Sequence, residues 1–153
     1  MIVGSWLPDA TGDKAFLWQA GEWQTLPPAS DGIFSGATAI NGAGQIVGHR
    51  DVDSATRRAF FWQNGVFTDI APTFGTVSIA ENLNEAGVVV GWMGHGTFDR
   101  HAFVWQDGFM VDLGPVPGGT TSIAKAVNGS GDVVGGGRIR SADGNDHVSQ
   151  SFL

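Results

Sequence analysis

Hydrophobic and polar residues alternate in short runs along most of the chain, and turn residues separate these runs. Residues 59–70, AFFWQNGVFTDI, are typical: an apolar run is followed by Asn64-Gly65 and by a run of alternating character. Asn-Gly between two such runs predicts a β-hairpin with a tight two-residue turn. A helical period of 3.6 residues is not sustained, and the nearest candidate, residues 77–87, aligns better with the predicted strand at 35–44. The pattern therefore predicts an all-β protein.

Two sequence motifs recur in the same order. Ala-Phe-x-Trp-Gln-x-Gly occupies residues 15–21, 59–65 and 102–108. Asn-x-(Ala/Ser)-Gly-x-(Ile/Val)-Val-Gly occupies residues 41–48, 84–91 and 128–135. A period of 43–44 residues indicates a repeated supersecondary unit, here of four short strands. Residues 1–153 are predicted to form a single repeat domain of about three and a half units, incomplete at both ends.

The third strand of each predicted unit is apolar on successive residues, as in Phe60-Phe61-Trp62. Such a strand is covered on both faces, and in a chain without helices neighbouring sheets supply the cover. Four-stranded sheets stacked around an axis meet this need, so the expected fold is a β-propeller-like repeat. A β-sandwich, which also buries alternating strands, is the alternative architecture.

Composition and charge exclude several classes of partner. The chain of 153 residues carries a net charge of −7, which argues against nucleic acid and anionic membranes as partners. It contains no cysteine, no visible signal peptide and no apolar run near the roughly 20 residues of a membrane-spanning helix. We therefore expect neither disulfides nor a membrane partner.

The motif copies KAFLWQAG, RAFFWQNG and HAFVWQDG, with the Asn…Val-Val-Gly segments, resemble the HAF repeat of bacterial proteins across essentially the whole chain. The resemblance implies a repeat scaffold in an extracellular or periplasmic location, and it brings no active site. Only His101-Ala102-Phe103 has the full triplet, since Lys14 and Arg58 replace the histidine in the other copies. We therefore predict no shared catalytic role for this histidine.

The recurring aromatic and amide side chains are predicted to be structural. Trp18, Trp62 and Trp105 stand at one strand position in each unit and are expected in the core. The asparagines that open the glycine-containing turns are expected to cap the backbone two residues on. They are Asn41, Asn84 and Asn128.

The variable loops are the predicted location of function, because a rigid scaffold displays its loops to partners. In a propeller the loops between strands two and three and the loops between units emerge on one rim. We predict a ligand-binding face in this loop group, where aromatic and charged residues mix. Its members are His49, Asp51, Trp92, His95 and Arg100.

No motif for a metal, a cofactor or catalysis is apparent. The acidic segment 143–146 lacks the spacing and the bidentate Glu of a calcium loop. The four histidines lack the spacing of a zinc site, and the sequence contains no nucleophile elbow, P-loop or dinucleotide fingerprint. We predict no catalytic residue, no metal ligand and no cofactor.

The leading functional hypothesis is a non-enzymatic scaffold or binding module for a protein or glycan ligand. Unprotected terminal units favour self-assembly, as a homodimer or another homo-oligomer, with two chains supplying a ring of seven or eight blades. Closure of one chain into four blades, with three strands in each end blade, is the alternative. The alternative is a propeller hydrolase or lyase with a loop-borne active site. That alternative requires a close His–carboxylate pair with a shifted pKa inside a pocket. A third hypothesis is a truncated repeat fragment without an independent role.

Overall fold

The structure is a computed structural model that describes residues 1–6, 12–27, 34–96, 99–140 and 146–152, with residues 140 and 146–152 described by their backbone alone. Regular structure in these residues consists of fourteen β-strands. In chain order they are β1 (Ile2–Trp6), β2 (Lys14–Gln19), β3 (Glu22–Thr25), β4 (Ser35–Ile40), β5 (Ile46–Asp51), β6 (Arg57–Gln63), β7 (Val66–Ile70), β8 (Val77–Leu83), β9 (Val89–Gly96), β10 (Asp99–Gln106), β11 (Phe109–Gly114), β12 (Ile123–Val127), β13 (Val133–Arg140) and β14 (Asp146–Phe152).

These strands form three sheets. The first has the order β1-β2-β3, the last has the order β12-β13-β14, and the middle sheet has eight strands in the order β11-β10-β9-β8-β6-β5-β4, with β7 on β6. Neighbouring strands are antiparallel except at one parallel pair, Arg57 with Val77, which joins β6 to β8. The all-β prediction is confirmed, and residues 77–87 form β8 and a turn.

The middle sheet consists of two meanders in which each strand pairs with the next along the chain, β4–β7 and β8–β11. We call the strand groups unit 1 (β1–β3), unit 2 (β4–β7), unit 3 (β8–β11) and unit 4 (β12–β14). Within units 1 to 3 a two-residue turn joins the strands on either side of the Gln-x-Gly motif. Ala20, Asn64 and Asp107 have φ of 53°, 50° and 50° there, and a glycine with positive φ follows each. These φ values identify type I′ hairpin turns, as the Asn-Gly pair predicts.

In the part of the chain that the structure describes, apolar side chains of consecutive units meet in three buried clusters. Ile46 on β5 packs in a cluster with Leu17 of unit 1, whereas the next residue, Val47, packs in a cluster with Val89 of unit 3. Successive side chains of a strand point to opposite faces, so each middle unit is buried on both faces. Unit 3 meets unit 4 in the same way through Val90.

Two of the three tryptophans of the motif, Trp62 and Trp105, contribute to these clusters. Trp62 and Trp105 are buried, as predicted, and Trp18 in unit 1 is half-buried.

Glycine in the recurring Val-Gly pair is required by close approach of two strands. A Cβ on Gly48 would overlap the carbonyl oxygen of Gly36, and a Cβ on Gly91 would overlap that of Ile79. The first strand of each of these units therefore lies against a second strand that has no side chain at this position.

Buried serines connect consecutive units. Ser35, Ser78 and Ser122 lie at or next to the start of β4, β8 and β12, and each Oγ accepts the amide of the motif alanine in the preceding unit at 2.7–3.0 Å. Ser78 Oγ also donates to the carbonyl of Ile70 at 2.8 Å. A side chain from one unit thus satisfies main-chain groups of the unit before it, which are buried from water.

The recurring asparagines cap their turns and also connect units. The Oδ1 atoms of Asn41, Asn84 and Asn128 accept amides two and four residues on at 2.9–3.1 Å, which confirms the predicted capping. Asn41 Nδ2 donates to the carbonyl of Asn84 at 2.9 Å, and Asn84 Nδ2 donates to that of Asn128 at 2.8 Å.

The arrangement of sheets confirms an all-β architecture but does not confirm the predicted propeller. The described residues form several packed sheets and close into neither a barrel nor a propeller ring. The β-sandwich alternative fits this arrangement.

Candidate functional site

A cleft of about 430 Å³ lies between the β5–β6 loop and the strands of unit 3. The loop contributes residues 53–57, and Asp51 lies at its start. Val77 and Ile79 of β8 form the apolar part of the lining. Trp92 of β9 and Arg100 of β10 complete it.

The loop is held in shape by its own hydrogen bonds. Asp53 Oδ1 accepts the amides of Ala55 and Thr56, each at 2.8 Å, and Val52 N donates to the Thr56 carbonyl at 2.8 Å. Hydrogen bonds from the Ala55 amide and from Thr56 lower the pKa of the exposed Asp53 carboxyl below its ordinary value. The carboxylate is therefore ionised and already engaged within the loop.

A second acidic residue is neutralised across the hairpin. Asp51 and Arg57 are partners in the β5–β6 register, and Arg57 Nε donates to Asp51 Oδ1 at 2.5 Å. This ion pair neutralises Asp51, whereas the Asp53 carboxylate of the same loop keeps its negative charge.

Arg100 is a cation of the cleft that has no anionic partner among the described residues. Its guanidinium carbon lies 4.1 Å from the centre of the Trp92 ring, and Nε donates to the carbonyl of Gly96 at 2.9 Å. Within the described parts of the chain, no carboxylate oxygen lies within 4 Å of its nitrogens. Burial and the positive charge of Arg138 lower the pKa of Arg100, while Glu81 opposes them. The guanidinium is thus held in one orientation and is free to pair with an anion.

His49 lies outside the cleft lining. Its Nδ1 atom is buried without a hydrogen-bond partner among the described residues, and its ring lies close to Gly36. Burial, and then the charge of Arg57, lower the pKa of this histidine below 6.5, against the opposing charges of Asp51 and Glu81.

The structure brings three of the five predicted ligand-binding residues together. Asp51, Trp92 and Arg100 line the cleft, whereas His49 does not and His95 is exposed beside Phe74, with ring centres 5.4 Å apart. Their part in ligand binding stays a prediction. Trp92 differs from the expectation in one respect, because it is buried beneath Arg100 and supports the cation instead of presenting its own face.

Sequence reasoning missed several residues of the cleft. Arg57 and Thr56 belong to the same hairpin as Asp51, and the opposite charges of Asp51 and Arg57 across a short loop are a signal that identifies the pair. Val77 and Ile79 come from the next unit, and no local pattern places them against this loop.

The closest histidine–carboxylate pair within the described parts of the chain lies elsewhere. His101 Nδ1 is 3.0 Å from Asp112 Oδ2, and the His101 ring stacks on Phe74 with centres 4.1 Å apart. Neither His101 nor Asp112 lines the cleft. No group of three or more metal-ligating side chains occurs within the described ranges, and most of the acidic segment 143–146 lies outside them.

Comparison with models of known families, with curated proteins and with solved structures found no match for this chain. The resemblance to the HAF repeat, and the location that it implies, therefore stay predictions. A search of the described residues found no helix of the length and apolar character needed to cross a membrane.

Proposed function

We propose that this protein is a non-enzymatic binding module that holds an acidic peptide segment in the cleft. The observation that carries the proposal is Arg100, a cation fixed on Trp92 and without a carboxylate partner among the described residues. The hydrolase or lyase alternative requires a His–carboxylate pair in a pocket. The described cleft residues include no histidine, so binding is the function that the geometry supports best.

A carboxylate suits Arg100 because guanidinium is a planar donor that forms two parallel hydrogen bonds with it. The contact of Nε with Gly96 and the stack on Trp92 already restrict the side chain. Less conformational entropy is therefore lost when the ligand binds. Asp51 and Asp53 do not compete for Arg100, since each is engaged within its own hairpin.

A peptide suits the rest of the cleft better than a glycan does. Glycan recognition by stacking needs an exposed aromatic face, and Trp92 is buried under Arg100. Val77 and Ile79 provide an apolar wall for the aliphatic part of a glutamate or for a neighbouring side chain.

The scaffold that we propose for this site is an open arc of a β-propeller in which units 1 to 4 are successive blades. Three observations support the arc. First, strands β4, β8 and β12 lie side by side. Second, the asparagine hydrogen bonds between units recur at separations of 43 and 44 residues. Third, the buried serines Ser35, Ser78 and Ser122 each join a unit to the one before it. A sandwich does not require the same contacts to recur at a constant separation.

Isothermal titration calorimetry with a capped hexapeptide containing two glutamates tests the proposed function. The peptide is expected to bind the protein, and Arg100→Gln is expected to weaken binding about 10- to 100-fold, the range for a lost charge-assisted hydrogen-bond pair. Arg100→Lys keeps the charge but loses the planar donor and is expected to fall between the two.

Arg50→Gln is the matched control, because Arg50 pairs with Asp69 of β7 and does not line the cleft. This variant is expected to bind like the parent protein. Equal affinity for the peptide with glutamines in place of glutamates would contradict the proposal. Binding of oligogalacturonate without binding of the peptide would instead assign the cleft to acidic glycans.

A further inference from the structure

The outward face of unit 1 exposes apolar side chains whose equivalents in units 2 and 3 are covered. Ile2 is 57% exposed, whereas Ile46 and Val89, at the same position of the motif, are 0% exposed. Phe16 is half-buried, although its equivalents in the next two units are fully buried. Trp23 is 64% exposed. The chain thus carries a face of core character that described residues do not cover.

This surface is continuous. We call it the leading face of unit 1, and we use the same name for the equivalent face of every other unit. In unit 1 it consists of Ile2, Trp6, Phe16 and Trp23. The Trp6 and Trp23 rings stack with centres 6.4 Å apart, and Phe16 lies edge-on to Trp23 with centres 4.8 Å apart. Contiguous exposed aromatic surface of this kind is typical of protein contact sites.

The leading faces of units 2 and 3, which are covered, show what kind of surface packs against the leading face of unit 1. In unit 2, Ile46 packs with Leu17 of unit 1, and in unit 3, Val89 packs with Val47 and Ala59 of unit 2. Each covered leading face therefore meets the opposite face of the preceding unit, which we call a trailing face.

No described side chain fully covers the trailing face of unit 4. Val134 is 39% exposed, whereas its equivalents Val47 and Val90 are 0% exposed. Asn128 is exposed as well, and its Nδ2 donates at 2.8 Å to Asp132 in its own turn, where Asn41 and Asn84 reach the next unit.

We infer that the leading face of one copy of this chain packs against the trailing face of a second copy, and that two such contacts close a head-to-tail dimer. The same contact already exists within the chain, because the trailing face of unit 2 packs against the leading face of unit 3. Val47 and Val89 share one cluster there. A leading face and a trailing face are different surfaces, so two copies related by a twofold axis satisfy both at once. Asn128 of each copy then faces a second chain.

Light scattering after size-exclusion chromatography, across a dilution series, tests this inference. The parent protein is expected at twice 16.0 kDa and to dissociate on dilution. Ile2→Asp and Val134→Asp each place a charge in the contact and are each expected to raise the dimer dissociation constant by at least about 100-fold. Val66→Asp, on the exposed hairpin of β7, is the control and is expected to stay dimeric.

A double variant separates head-to-tail packing from other modes. Ile2→Lys combined with Val134→Asp places opposite charges in both contacts of a head-to-tail dimer, so it is expected to dimerise better than either single variant. Circular dichroism checks that every variant keeps its strand content. A parent protein that is monomeric throughout would overturn the inference, and so would a dimer lost only in Ile2→Asp, or masses that grow beyond the dimer.

Discussion

His49 lies next to the cleft with a ring nitrogen that has no partner among the described residues. Burial of a polar atom without a hydrogen bond costs about 1–3 kcal/mol, and burial of the charged imidazolium costs more. Burial and the charge of Arg57 accordingly lower the pKa of this histidine, although Asp51 and Glu81 oppose them. His49 is thus better suited to packing against Gly36 than to contacting a ligand.

This pKa shift predicts how stability depends on pH. The unfolded chain binds a proton at His49 near pH 6.5, while the folded protein resists the proton down to a lower pH. The stability from neutral His49 is therefore fully present above pH 6.5 and is lost as the pH falls through the lowered folded pKa. Urea unfolding at several pH values between 7.5 and 5 measures this loss.

His49→Gln is expected to remove part of the slope of the unfolding free energy against pH. His95→Gln serves as the control, since His95 is an exposed residue outside the cleft, and it is expected to keep the slope. An unchanged slope in His49→Gln would show that other groups cause the pH dependence.

The sequence predicts part of the cleft for physical reasons. Asp51 and Arg100 lie in or beside loops, where polar residues are free to contact ligands, and both line the cleft. The stack of Arg100 on Trp92 is not predictable, because it depends on the register of β9 with β10, in which Arg100 pairs with Gly94. A histidine between a glycine and an arginine is equally compatible with burial or exposure, so the sequence does not place His49.

At the scale of elements, the asparagine turns combine a local contact with a distant one. The Oδ1 atom caps the turn, and this contact is predictable from the Asn-x-x-Gly pattern. The Nδ2 atom reaches the next unit, as when Asn84 donates to the carbonyl of Asn128. This second contact depends on how units stack and has no local signal.

Asn84→Ala and Asn128→Ala form a matched pair that tests the contact between units. Both variants lose the turn cap and one Nδ2 hydrogen bond, which in Asn84 reaches the following unit and in Asn128 stays within the exposed turn, at Asp132. Asn84→Ala is expected to destabilise the protein by about 1 kcal/mol more than Asn128→Ala does. Denaturant unfolding of both variants measures the difference, and equal losses would mean that the contact does not stabilise the stack.

Sheet pairing within each unit follows from the sequence more closely than the assembly of units does. The turns at Asn64-Gly65 and Asp107-Gly108 fix the strand register on either side. The roles of the buried serines Ser35, Ser78 and Ser122 are not predictable from the sequence. A serine at a strand end has no recognisable partner until the preceding unit is packed against it. Ser78 shows this, since both of its main-chain partners belong to unit 2.

At the scale of the whole molecule, the net charge of −7 opposes a general attraction for acidic partners. The proposed specificity therefore depends on local charge, within a Debye length of about 8–10 Å. In the cleft, Asp51 and Asp53 are engaged, and Arg100 is unpaired among the described residues. Overall composition disfavours nucleic acid but carries no information about a single fixed cation.

The overall architecture is also only partly contained in the sequence pattern. The 43–44-residue period predicts alike units, and successive apolar residues predict cover on both faces. The small rotation from one unit to the next decides between an arc, a ring and a sandwich. That rotation depends on the shapes of side chains packed between units, such as Phe103 and Trp105, and not on their periodicity.

The central claim, that the Arg100 cleft binds an acidic peptide, is tested most directly by the tryptophan indole signals in a ¹⁵N–¹H NMR spectrum. The glutamate hexapeptide is expected to shift the Trp92 signal, because the ligand pairs with the guanidinium stacked on that ring. Trp62 and Trp105, buried between units, are expected to stay in place. A Trp92 signal that does not move at saturating peptide, or that moves equally in Arg100→Gln, would contradict the account.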